Sequence, residues 1–349
     1  MNEKIQYFLH CYNDYVFDYG QRMCELTDLA HKHETVIINL TPEGADINEI
    51  PYKDTKILII LEKLCEKNNW PKTKFIIKHT NPLQKKSTWP ALIYQESMPS
   101  FFTLMSNKFE SNKSINYYFG SYVVNSSWPR LWLSSYLYCN HKNIVDQTFI
   151  RSLNNPSHAI NLDIDNMLFN FSSVKKIDEI DLQQIFKFLD VLPIIKNNKY
   201  NLEDLADPHF SAVTENGLAI DNEILSWYDK IFIDIICETF YSGEVFYLTE
   251  KTARPLLTKT PFIIFGPANF LKNLRKLGFQ TFNKFWSEEY DNFSGVLRVL
   301  AMKKLIKNLS ALTFNQLNKL YNDMKHILEH NHGVYKELKS KSIIDRLKI

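Results

Sequence analysis

The sequence predicts an α/β protein of two Rossmann-like domains with a helical C-terminal tail. Three observations predict it. The 349 residues exceed what one ordinary hydrophobic core organises and suit two domains of roughly 150–200 residues. Short apolar runs alternate with helix-length stretches through the first third, the pattern of a parallel sheet with helices packed on it. A strand–helix–strand–helix–strand succession follows between residues 245 and 282, the repeating unit of Rossmann-type sheets.

The N-terminal domain is expected over residues 1–112. Residues 4–10 are rich in apolar side chains and read as a strand, and 18–32 read as a helix. Residues 35–40 are β-branched, which suits a pleated, half-buried surface. The compact apolar runs 56–61 and 74–78 read as buried strands, and 91–94 adds a short strand before Pro99. The stretch 109–116 is polar, rich in Asn, Ser and Lys, and reads as the inter-domain linker.

The second domain, residues 113–292, opens with a strand at 117–124, breaks at 125–129 and resumes as a helix over 130–139. Residues 151–223 are loop-like around one helix at 181–190. From 224 to 237 the chain is apolar enough for a helix or a strand. A turn at 241–243 leads to a strand at 245–248 and a short helix through Leu257. A strand at 261–265 is closed by Gly266-Pro267, and a helix at 269–277 and a strand at 280–282 complete the unit. Residues 293–349 form the helical extension, with Leu297, Leu300, Leu305, Leu309 and Leu312 marking its apolar face.

Composition excludes more than it assigns. Apolar residues at 45% and charged residues at 23% describe a globular chain. Glycine is scarce, 9 of 349, against an average of about 7%. No G-x-G-x-x-G, G-x-x-x-x-G-K-[ST] or G-x-S-x-G occurs, so the glycine-loop routes to dinucleotides, nucleoside triphosphates and a nucleophilic serine lose their support. A net charge of +2 argues against a surface wrapped in nucleic acid. Only seven of the 41 basic residues are arginines, so each merits inspection as a phosphate fork. Five widely spaced cysteines suit free thiols in a reducing compartment. The opening Met1-Asn2-Glu3-Lys4 carries no basic-then-apolar leader and the apolar runs are strand-sized, so a cytoplasmic protein with no transmembrane segment is expected.

Candidate chemistry concentrates between Ile236 and Pro255. The segment places Glu238, Thr249, Glu250, Lys251 and Arg254 around the carboxyl end of a strand, the edge at which open parallel sheets bind ligands. Pro255 is tolerated in a helix's first turn, which sets the helix start near Thr252, with Thr252 as its N-cap. Glu250 and Lys251 then lie in the strand–helix loop. Exposed N–H groups, the helix dipole and Lys251 together make an anion site without glycines. A capped surface helix with ordinary charged residues is the plain alternative and stays open on these grounds.

The run Tyr247-Leu248-Thr249-Glu250-Lys251, with the upstream Glu238, resembles the donor-binding motif of the α-1,3-fucosyltransferase-like glycosyltransferases. Through 261–267, Phe270-Leu271-Lys272, Leu277-Gly278-Phe279 and Thr281-Phe282 the chain is also similar to phage and other viral relatives of that family. The match is strong from Tyr228 to Asn292 and weak elsewhere. It implies a GT-B arrangement whose C-terminal domain holds a nucleotide-diphosphate sugar as donor substrate. It further implies an inverting, metal-independent transfer to a hydroxyl acceptor, no separate cofactor, and a virus-encoded protein in the host cytoplasm. Carried over position by position, Glu250 contacts sugar or ribose hydroxyls, Lys251 neutralises the diphosphate, Glu238 positions the donor loop, and Thr249 belongs to the same motif. Cationic side chains and a helix end then stabilise the departing nucleotide diphosphate. Arg130, after Asn125-Ser126-Ser127-Trp128-Pro129, is the best-placed counterpart of the family's pyrophosphate arginine, although the relatives' Asn-Arg…His-Arg pattern is only partly matched. Arg254, one turn beyond Lys251, is the alternative phosphate partner, and packing of Arg130 on Trp132 is the plain structural reading.

An inverting transfer needs a carboxylate to take the acceptor's proton. Glu96, after the strand at 91–94, is the first candidate and Asp14 the second, with Glu250 a third inside the motif. From Lys67 to Gln95 there are six lysines and no Asp or Glu, interleaved with Trp70, Trp89 and Tyr94. Lys72, Lys74, Lys78 and Trp89 are the candidate acceptor-binding residues, for a saccharide or for a polyanion such as DNA. A solvated lysine face is the alternative. Two metal-like patterns are set aside. Asp163-Ile164-Asp165 lies in a poorly patterned region. His326, His330 and His332 precede Gly333, where the helix is expected to end and histidines favour its dipole. Three readings remain: a transferase acting on a saccharide, one acting on a hydroxylated base of viral DNA, and a non-catalytic nucleotide- or carbohydrate-binding module of the same fold.

Overall fold

A computed structural model describes residues 4–8, 19–39, 51–52, 55–79, 81, 89–94, 112–121, 127–141, 179–190, 213–214, 217–218, 228–238, 240–241 and 243–338. The chain divides into unit 1, Met1–Pro99 with Ser242–Tyr247 and Ser342–Ile349, and unit 2, Ser100–Tyr241 with Leu248–Lys341.

In unit 1 the chain runs β1 (Lys4–Phe8), α1 (Tyr19–Lys32), β2 (Thr35–Asn39), β3 (Pro51–Tyr52), β4 (Thr55–Lys56), α2 (Ile57–Asn68), β5 (Phe75–His79) and β6 (Leu92–Tyr94). Strands β1, β2, β5 and β6 pair in that order, all parallel, as the alternation of strands and helices predicts. β3 and β4 form an antiparallel pair. In β5, Phe75, Ile77 and His79 are buried while Ile76 and Lys78 are half-buried, the period of two that a strand imposes. Residues 56–61 depart from expectation. The apolar run opens helix α2 because its pattern continues as Leu58, Leu61 and Cys65, a helical spacing with all three side chains buried. Five apolar residues in a row contain too little of either period to separate helix from strand.

Unit 2 contains β7 (Tyr117–Gly120), α3 (Trp128–Asn140), α4 (Glu179–Leu189), β8 (Val213–Thr214), β9 (Gly217–Leu218), β10 (Ile231–Cys237), α5 (Glu250–Leu257), β11 (Phe262–Phe265), α6 (Phe270–Lys276), α7 (Gly295–Ser310) and α8 (Phe314–Leu338). The sheet order is β11-β10-β7 with both pairs parallel. All seven residues of central β10, IFIDIIC, are buried, as in a strand covered on both faces. That settles 224–237 as strand at its second half. The register Cys237↔Phe265 brings the carboxyl ends of β10 and β11 level.

Two expected strands are absent. Residues 245–248 bury their side chains without joining either sheet. At 280–282 the backbone meets a side chain instead of a strand: Gln280 N–H donates to Asn331 Oδ1 at 2.8 Å, and its carbonyl accepts from Asn331 Nδ2 at 2.9 Å. One carboxamide thus supplies the acceptor and the donor that a neighbouring strand would have offered.

The C-terminal helices pack within unit 2. Arg298, wholly buried in α7, donates from Nε to the Tyr290 carbonyl at 2.8 Å and from Nη2 to the Asp291 carbonyl at 3.1 Å and to Asp291 Oδ1 at 3.3 Å. Asp291 in turn accepts from the N–H groups of Leu271 and Lys272 at 3.0 and 3.2 Å, which caps α6. On α7, Leu305 and Leu309 are buried, but Leu297 is 56% exposed because the buried stripe runs through Val296 and Val299. Helix α8 passes through Gly333 without stopping. Among the described residues, no helix is long and apolar enough to cross a membrane.

Candidate functional site

A carboxylate at the end of a buried strand needs donors, and the residue after β10 is Glu238, 2% exposed. Thr249 donates its hydroxyl to Glu238 Oε2 at 2.7 Å, and Thr252 donates its own to Oε1. Thr249 is also the N-cap of α5, its Oγ1 accepting the N–H of Lys251 at 3.2 Å. The result is a chain from Lys251 N–H through the Thr249 hydroxyl to Glu238, with a negative charge set against a helix N-terminus. This corrects the expected start of the helix: the cap is Thr249, Thr252 spends its hydroxyl on Glu238, and Pro255 lies inside the helix.

Arg130 reaches the same place from the other side of the sequence. It is in the first turn of α3, behind Ser127 as N-cap and Pro129, a residue that a first turn accommodates. Trp128 packs edge-to-face on Tyr241 and on Phe265, at centroid distances of 5.3 and 5.9 Å, which fixes the start of α3 over the ends of β10 and β11. Arg130 itself is only 7% exposed, and its Nη2 lies 3.5 Å from the Glu238 carbonyl. Burial pushes the Cys237 thiol up to about 12; Arg130 and Lys251 pull it down, while Glu238 and Asp234 push it further up. Both cations therefore act on the last residue of β10. Lys251 is half-buried, and Glu250 is the first residue of α5.

Arg254 is drawn into a second polar cluster. Asp234, wholly buried in mid-strand, accepts the Tyr228 hydroxyl at 2.7 Å. Burial raises its carboxyl to about 7 against the lowering effects of Tyr228, Arg254 and Lys113. Lys113 donates to the Tyr228 carbonyl at 2.6 Å and to Thr260 Oγ1 at 3.0 Å, and burial lowers its ammonium to about 7. No motif spacing announces this cluster; its one signal in the sequence is the lone aspartate inside the apolar run of β10.

The remaining candidates divide. Trp89 is buried, 2% exposed, and its indole N–H donates to the Phe75 carbonyl at 2.9 Å, so its ring is core and not a stacking surface. Lys72 pairs with Glu62, and Lys74 donates to the His33 carbonyl at 2.6 Å beside the Trp70 ring. Lys78 is half-buried on β5. Glu96, Asp14, Asp163 and Asp165 lie outside the described residues. His330 and His332 hydrogen-bond the carbonyls of Gly278 and Leu256, at 2.8 and 3.2 Å, from the body of α8 and not from its end. Among the described residues, no group of three His, Cys, Asp or Glu side chains is arranged to hold a metal ion. No protein-family model matches this chain, and no curated protein matches it.

Proposed function

We propose that the protein is a nucleotide-sugar-dependent glycosyltransferase, with two Rossmann-like domains in a GT-B arrangement and the donor held by unit 2. The observation that carries the reading is the convergence of Arg130 and Lys251, 121 positions apart in the sequence, on the carboxyl end of β10 beside the buried Glu238. That edge is where open parallel sheets take ligands. The resemblance between Tyr228 and Asn292 supplies the ligand class.

In this reading Lys251 and Arg130 neutralise the donor diphosphate, and Glu250 holds sugar or ribose hydroxyls. The acceptor oxygen attacks the anomeric carbon as the bond to the diphosphate oxygen breaks. The acceptor's proton passes to a carboxylate, Glu96 before Asp14, and the nucleotide diphosphate leaves with its charge held by the two cations. A saccharide is the preferred acceptor. The DNA reading leaned on Trp89, Lys72 and Lys74, which are engaged inside unit 1.

A thermal-shift screen over nucleotide diphosphates and their sugars tests the proposal, because a ligand that binds the folded state raises its melting temperature. At least one nucleotide diphosphate is expected to stabilise the wild type. Lys251→Ala is expected to weaken its binding by roughly 10- to 100-fold, the worth of about 1.5–3 kcal/mol for a charge-assisted contact. No shift with any nucleotide diphosphate or sugar nucleotide overturns the reading. Tight binding without donor-dependent product reduces it to a binding module.

A further inference from the structure

Strand geometry carries on past the last residue of β10. Asp234 N–H donates to the Pro261 carbonyl and Glu238 N–H to the Phe265 carbonyl, both at 2.9 Å. Asp234, Ile236 and Glu238 therefore alternate onto one face of the strand, with the two carboxyl-bearing residues about 13 Å apart along it. Helix α5 packs on β10 and donates the Thr249 and Thr252 hydroxyls to Glu238. From the same helix the charge of Arg254 lowers the Asp234 carboxyl, whereas the charge of Glu238 raises it. All of these groups belong to unit 2.

The other elements around Asp234 contribute in turn. Tyr228, ahead of β10, donates its hydroxyl to Oδ2 at 2.7 Å. Lys113, ahead of β7, reaches the Tyr228 carbonyl and Thr260 and lies 5.2 Å from the centre of the Tyr321 ring, with Asp229 acting on it in turn. Tyr321 comes from α8, whose Glu329 pairs with Lys259 at 2.8 Å. β7 sets Gly120 opposite Asp234, and β11, with the sequence FIIF, brings no titratable side chain. Buried side chains screen a charge poorly, so a further negative charge at the end of β10 acts on Asp234 in the direction that Glu238 already does.

We propose that Asp234 is a proton-linked sensor of the charge at the carboxyl end of β10: an anionic ligand seated beside Glu238 brings a proton from solvent onto the buried carboxyl. A carboxylate oxygen gains the proton, and no bond within the ligand changes. By reciprocity the proton tightens the ligand's hold. That the ligand is a sugar nucleotide rests on the transferase reading; the coupling along the strand face does not.

An infrared titration of the full chain tests it, read at the carbonyl stretch of a protonated carboxyl. The band is assigned to Asp234 by its loss in Asp234→Asn, or by isotope-labelled aspartate if that variant does not fold. In the wild type it is expected to titrate at about 7. Glu238→Gln is expected to lower the midpoint by about one pH unit and Arg254→Met to raise it, the size of one charge at about 13 Å in a protein interior. Midpoints unmoved in both variants overturn the proposal. Saturating uridine diphosphate glucose or guanosine diphosphate mannose, neither of which titrates near neutrality, is expected to raise the wild-type midpoint by a similar amount. Its affinity is then expected to rise about fivefold from pH 8 to pH 6 in the wild type and to stay level in Asp234→Asn. A bound sugar nucleotide that leaves the midpoint where it was overturns the proposal as well. If neither sugar nucleotide binds, that result tells against the transferase reading, and the two variants still decide the coupling.

Discussion

Burial penalises a carboxylate unless donors and cations surround it, and Glu238 meets both conditions with two threonine hydroxyls and the nearby Arg130 and Lys251. Glu238→Ala is therefore expected to cost about 3 kcal/mol, because it strands two buried hydroxyls and uncovers a helix end. Thr249→Val, which removes the cap and one link to Glu238, is expected to cost about 1 kcal/mol. Urea denaturation of each variant measures both, and equal small losses would mean that Glu238 is not the centre of the arrangement. The residues of this site were partly legible in advance. Glu238, Thr249 and Lys251 sit within a short run whose chemistry is visible in one dimension. Arg254 sits in the same run, and its charge also lowers the carboxyl of the buried Asp234, an influence that no spacing rule announces. Trp89, an aromatic among lysines, has the pattern of a stacking surface and is core.

Helix α8 shows how an element can outlast its own stop signal. Gly333 lacks a cap function and lies in the helix interior, held there by buried Asn331, Val334 and Tyr335 around it. An added Cβ at Gly333 meets nothing within 4 Å. Gly333→Ala is thus expected to stabilise unit 2 by about 0.5–1 kcal/mol, since it removes backbone freedom from the unfolded chain without a clash. Thermal or urea unfolding checks it, and destabilisation would mean that the position needs glycine for another reason. The elements that sequence patterns located well are those whose apolar runs are local: β2, β5, β11 and α6 fall where those runs lie, whereas 224–237 stayed open between helix and strand until its second half proved to be β10. Those it misplaced depend on a partner. Residues 57–61 belong to α2 because of Leu61 and Cys65 further on, and 280–282 are no strand because Asn331 satisfies Gln280.

Among the described residues, burial holds His79 in unit 1, and His141 and His332 in unit 2, below their ordinary 6.5. Their folded forms favour the neutral ring, so between the lowered values and 6.5 the unfolded chain binds more protons and stability falls as the pH drops. Asp234 works the other way. Its carboxyl is raised from 3.8 to about 7, so its contribution is present at low pH and lost as the pH rises through that window. Unit 1 is expected to weaken as the pH falls below about 6.5, and Asp234→Asn to leave unit 2 more sensitive to acid than the wild type. Denaturant titrations across that range decide it, and an Asn variant with a shallower acid limb would contradict the assignment. The scarcity of glycine, 9 of 349 residues, excludes only cradles made of glycine N–H groups. The candidate site uses side-chain cations and a threonine-capped helix instead.

The order of residues was enough to indicate an α/β protein with parallel sheets and to gather Glu238, Thr249 and Lys251 in one short run before a helix, because these follow from local periodicity and adjacency. Folding in three dimensions was needed to bring Arg130 to Glu238, to let the Asn81 carboxamide hold the Glu244 carbonyl and the Phe246 N–H, and to turn Trp89 inward. Each of those depends on hydrogen-bonding or apolar groups that meet only when distant segments pack, and a buried polar atom selects its partner by distance and angle, not by position in the chain.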